Sequence, residues 1–98
     1  MDDNEVRLSG EVIGREVLRH TPAGIPILSF ALKHHSTQIE AGTPRQLDFE
    51  IDAMAVGETA QSMNRMQAGQ RVRLRGFLAS RSQRSTRVVL HVAQFEFE

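Results

Sequence analysis

What most constrains this chain is a period of two. Apolar and polar side chains alternate along most of its length, and that alternation lays one apolar face on a half-buried strand. Val6, Leu8 and Val12 mark a first run within Glu5–Ile13, and Leu28, Phe30 and Leu32 a second within Ile27–His35. In residues 46–56, Leu47, Phe49 and Ile51 are expected inward, with Asp48, Glu50 and Asp52 outward. From Gln70 a fourth run sets Val72, Leu74 and Leu78 against Arg71, Arg73, Arg75 and Phe77. A fifth strand is predicted over Val88–Phe97, where Val88-Val89-Leu90 offers apolar side chains to both faces and implies a bulge or a buried edge.

The interruptions are as informative as the runs. Gly10 and Gly14 inside the first strand predict a bulge or sharp bend, and Gly76 a kink in the fourth. Thr21-Pro22-Ala23-Gly24 reads as a turn, and Glu40–Pro44 as a loop closing the second strand onto the third. Only the segment after Gly57 abandons alternation: Ala60, Met63 and Met66 fall near one helical face and Gly69 stops it, which predicts one short helix with the methionines as an apolar plug. An all-β order of five strands, with a glycine-bent first strand and a lone helix between strands three and four, matches the OB-fold, a five-stranded Greek-key barrel. The helix position disfavours the competing SH3-like barrel. One OB domain over residues 1–98 is expected.

With 98 residues and no cysteine, nothing but an apolar core or an oligomer interface holds such a barrel together. The longest uncharged apolar stretch, Ala23–Leu32, is broken by Gly24, Pro26 and Ser29, whereas a spanning helix needs about 20 apolar residues. No membrane partner is therefore expected. The opening Met-Asp-Asp-Asn-Glu lacks the basic and apolar regions of a secretory signal, so the expected compartment is the cytoplasm.

Formal charge is zero, yet its distribution is uneven. Seven arginines and no acid lie between Thr59 and Phe95, while the other 61 residues hold five basic groups against all twelve acids, a net of −7. The expectation is a basic and an acidic region, if the fold keeps these parts of the sequence apart.

Catalytic chemistry finds little support. Without cysteine the available nucleophiles are hydroxyls, and no Gly-x-Ser-x-Gly elbow, Walker loop or dinucleotide fingerprint occurs. His20, His34, His35 and His91 never stand at i, i+4 spacing, and adjacent His34 and His35 point to opposite sides of a strand, so no metal site is expected. His34 reads as a satisfied histidine at the edge of the core and His35 as a surface group. Asp48, Glu50 and Asp52 share a face that suits a solvated surface better than a cation. The reading is a non-enzyme without cofactors.

Residues Arg81-Ser-Gln-Arg-Ser-Thr-Arg87 contain no apolar side chain and three guanidinium forks, a pattern that suits phosphate. In an OB-fold this last loop, the first loop and the face of strands two and three form the oligonucleotide platform. The candidate oligonucleotide contacts are Arg15, Arg19, Lys33, His35, Arg73, Arg75, Arg81, Arg84 and Arg87. Phe77, on the outward side of strand four, is free to stack a base unless the helix or a partner chain covers it.

Arg7-Leu-Ser-Gly10, Thr21-Pro-Ala-Gly-Ile-Pro26, Phe30-Ala-Leu-Lys-His-His-Ser36, Glu40-Ala-Gly42, Arg45-Gln46, Arg75-Gly-Phe77 and Val89-Leu-His91 together resemble the primosomal replication protein N (PriB) family. The resemblance covers nearly the whole chain. It implies a fold like single-stranded DNA-binding proteins, a homodimer, and a role in bacterial replication restart through single-stranded DNA and the PriA helicase, with DnaT a possible further partner. The pattern departs from the family where its third strand can present an aromatic residue and this chain has Asp48, at Thr43, and at His35, where the family can carry arginine. Charge in the last loop is kept as Arg81, Arg84 and Arg87, while no Trp or Tyr supplies stacking, so weak binding is expected. Two other readings stand beside this one: a protein-interaction OB module with incidental nucleic-acid contact, favoured by the three outward carboxylates, and an RNA-binding OB domain.

Overall fold

A computed structural model describes residues 2–98. Its elements in chain order are β1 (Val6–Arg15), β2 (Arg19–His20), β3 (Pro26–Glu40), β4 (Thr43–Val56), α1 (Glu58–Met63), β5 (Arg71–Ser80) and β6 (Val88–Phe97). The sheet runs β1-β5-β6-β4-β3-β2, and an added β1–β3 pairing closes it into a five-stranded barrel of the OB type, with β2 on the outer edge of β3. The helix follows the fourth strand and precedes the fifth, not the third and fourth. The added strand is the two-residue β2, which pairs Arg19 with Ile27 and His20 with Pro26 and is too short for any periodic signal.

Closure depends on β1 serving two neighbours. Val6–Glu11 pair with β5, Glu11–Arg15 pair with β3, and the register slips between Val12 and Gly14, a bulge that bends the strand from one partner to the other. A second slip, at Arg75/Gly76 against β6, lets β5 follow the curve. At Gly76 any side chain is excluded, because an added Cβ would stand 1.7 Å from the His91 carbonyl oxygen.

The inward residues of the alternating runs form the core. Val12, Leu28, Phe30, Leu32, Ala53, Ala55, Val72, Leu74, Leu90 and Val92 are buried, and Ala60, Met63 and Met66 close the barrel end. The expected plug is therefore present, although the helix stops at Met63 and Met66 reaches the core from the following turn. His34 is buried and satisfied: its Nδ1 donates to the Ser9 carbonyl oxygen and its Nε2 accepts from Ser36 Oγ, both at 2.7 Å.

Two expectations fail at the β3–β4 hairpin. The predicted Glu40–Pro44 loop is a turn of only Ala41 and Gly42, both at positive φ (51° and 78°), which suits the twist of a two-residue hairpin. Pairing continues to Glu40↔Thr43, so the strands run far past the barrel as a ribbon, in a molecule 50 Å long. Phe49 keeps its inward parity there but has no barrel above it, and it remains 41% exposed. Its ring leans on His34 at 4.9 Å instead.

Candidate nucleic-acid interface

Outside the barrel wall, the ends of β1, β3, β4, β5 and β6 frame an open cleft of about 470 Å³. Cross-strand register places Ser29 beside Met54 and Ala31 beside Asp52, and parallel pairing places Met54 beside His91. Ala31, Met54 and Val89 thus line the cleft among the polar groups of Arg15, Glu16, Arg19, Asp52, Arg81 and His91. Small side chains there leave room for a planar group, while the guanidiniums can meet phosphate. Val89 is buried in this lining.

The nine candidate contacts do not converge on one place. Arg15, Arg19 and Arg81 reach the cleft. Arg84 and Arg87 lie in the exposed loop after β5, which is closed by a hydrogen bond from the Arg81 amide to the Arg87 carbonyl at 2.9 Å. Lys33, still in the barrel wall beside Glu11 of β1, and His35, on the ribbon, stand on β3 opposite Glu50 and Asp48. Arg73 and Arg75 line a different cleft, of about 460 Å³, with Arg7, Gln94 and Glu96.

Ion pairing sorts them further. Arg75 pairs with Glu5 at 2.7 Å, Arg71 and Arg73 with Glu98 at 3.1 and 3.4 Å, and Arg81 with Asp52. Arg15 is held by backbone, donating to the carbonyl oxygens of Asn64 and Met66 at 2.6 and 3.0 Å and to Asn64 Oδ1 at 2.8 Å. Among the described residues, Arg19, Arg84 and Arg87 have no acidic partner. They are the candidate guanidiniums that a phosphate meets without competition.

The expected separation into basic and acidic regions therefore does not arise. β5 lies between β1 and β6, so its arginines meet Glu5 and Glu98 from the two ends of the chain. The carboxylate row of β4 is likewise partly matched: His35 Nδ1 lies 2.6 Å from Asp48 Oδ1 and Arg81 meets Asp52, while Glu50 stands in register with Lys33 without an ion pair among the described residues. With Arg81 against Asp52, the row repels phosphate less than three unpaired carboxylates would. His91 and Asp52 are cleft residues missing from the sequence-derived set. For His91 the fifth strand, apolar on both faces at Val88-Val89-Leu90, gave no facing, and its place opposite Phe77 is set by cross-strand register; for Asp52 its distance of 29 residues from Arg81 hid the pairing.

A model described as another single-strand binding protein family matches residues 4–94. The replication restart protein PriB of Nitrosomonas europaea is 42% identical over 91% of this chain and 82% of its own length. That of Bordetella pertussis is 38% identical over 93% and 85%. The structure of PriB from Ralstonia solanacearum superposes with a TM-score of 0.88 at 34% identity, covering 99% of both chains. The single-stranded DNA binding protein of Thermus aquaticus shares the fold, with a TM-score of 0.78 at 22% identity over 97% of this chain and 50% of that one. A barrel of this topology, matched end to end at such identities, places the chain in the PriB family of replication restart proteins.

Proposed function

We propose that this protein is a non-enzymatic accessory factor of the bacterial replication-restart primosome, which binds single-stranded DNA weakly and stimulates unwinding by the PriA helicase. The observation that carries the reading is that Arg19 in a cleft whose lining admits a planar base, and Arg84 and Arg87 in the loop that follows Arg81, are exposed and have no acidic partner among the described residues. Phosphate contacts from such forks supply salt-dependent affinity without sequence preference, which suits a factor acting at any stalled fork. Family membership supports the restart role. A cytoplasmic homodimer fits a small barrel that leaves Ile13, Ile25, Val56 and Val88 exposed, and DnaT is a possible further partner.

The experiment is a titration of a labelled single-stranded oligonucleotide at 50 and 200 mM salt, followed by helicase unwinding assays with and without the protein. Micromolar binding that weakens about tenfold or more across that range supports the reading, since three phosphate contacts give a log–log slope of roughly −2. A nanomolar, salt-independent complex or unchanged unwinding overturns it. Tighter binding of an RNA oligonucleotide of the same sequence would transfer the site to an RNA-binding OB domain.

A further inference from the structure

The chain has five phenylalanines and no tryptophan or tyrosine, so few rings are available to any base. Phe30 is in the core. Phe95 and Phe97 pack against it and edge-to-face on one another at 5.3 Å, with the Arg65 guanidinium over Phe97 at 4.9 Å. Phe49 tilts by 35° onto buried His34 on the ribbon. Phe77 differs from these: it stands outward on β5, is 43% exposed, and lies nearly parallel to His91, with 15° between the planes and 5.2 Å between the centroids.

The cleft already described contains His91, and register sets Phe77 opposite His91 on one side and Met54 beside it on the other. A continuous row, Phe77–His91–Met54–Ser29, therefore crosses the outer wall of β5, β6, β4 and β3. We propose that Phe77 and His91 form a stacking platform for one unpaired nucleobase, extending the cleft across β5. An offset parallel pair of rings has the geometry of two stacked bases, and a third ring continues it through the same contacts. The platform lies on β5 and β6, away from the β4 position at which Asp48 replaces an aromatic residue. The inference rests on the single-stranded DNA reading and adds the part of the affinity that salt does not weaken.

The test compares a labelled (dT)20 oligonucleotide with a fully abasic strand of the same length, using the intact protein and its Phe77→Leu, Phe77→Trp and His91→Ala variants. The native protein should prefer the base-bearing strand by about tenfold. Phe77→Leu keeps apolar volume but has no ring face, so it should lose most of that preference, with unchanged abasic affinity, salt slope and thermal midpoint. His91→Ala should also lose base preference, together with part of the abasic affinity because His91 lines the cleft, and Phe77→Trp should keep or raise the preference. A full preference retained in Phe77→Leu, or equal native affinity for both strands, overturns the platform while leaving the phosphate reading intact. No native binding to either strand overturns both.

Discussion

The Arg15 guanidinium donates to the main-chain carbonyl oxygen of Asn64 at 2.6 Å, tying the end of β1 to the last turn of the helix segment 49 residues later. The same group also reaches the Met66 carbonyl, so it satisfies main-chain acceptors at the helix cap and in the segment that follows it.

That position makes Arg15 a structural residue first. Arg15→Ala should cost about 1–2 kcal/mol, lowering the thermal midpoint of this small domain by several degrees. Single-stranded DNA affinity should fall less than threefold. A large affinity loss with an unmoved midpoint in calorimetry would return Arg15 to the DNA contacts.

Asp52 occupies Arg81 across the cleft mouth. A phosphate approaching Arg81 must displace that carboxylate, so Asp52→Asn should tighten binding at low salt and steepen the log–log slope by about 0.7, one phosphate for a single strand. Titrations at four salt concentrations read this directly. An identical slope would mean that Arg81 does not contact the strand.

Replacing Arg81, Arg84 and Arg87 together by alanine should flatten the slope by about 1.4, the two phosphates met by Arg84 and Arg87, and weaken binding at 50 mM salt about tenfold. The thermal midpoint should move little, because these side chains are exposed and only the exposed Arg81–Asp52 pair is lost. If affinity holds, the loop is a solvated turn.

Gly76→Ala should be among the most damaging single-methyl changes in the protein. The new Cβ meets the rigid His91 carbonyl, and only separation of β5 from β6 relieves the clash. A loss of several kcal/mol in chemical denaturation, or failure to fold, is expected. A variant with wild-type stability would show that the β6 bulge shifts freely.

Much of this architecture is legible in the residues because strand and helix patterns are local. Leu28, Phe30 and Leu32 announce an apolar face by spacing alone, Ala60 and Met63 mark the one segment with a different period, and Gly76 marks the kink. His34 also reads correctly, since adjacent histidines on a strand must face opposite ways. Where those faces end is not local: Phe49 has the parity of a core residue, and only the reach of the barrel leaves it uncovered.

The sequence by itself determined the five long strands, the bends at Gly14 and Gly76, and that guanidinium would concentrate in the last third, because each follows from the stereochemistry and charge of neighbouring residues. Tertiary structure alone decided which of those arginines stay available. Arg75 meets Glu5 from 70 residues away and Arg71 meets Glu98 from 27, while Arg84 and Arg87 meet no acid among the described residues. Barrel closure brings both chain ends alongside β5 and leaves the 81–87 loop beyond their reach, and pairing at such separations is set by the register of strands that no local period encodes.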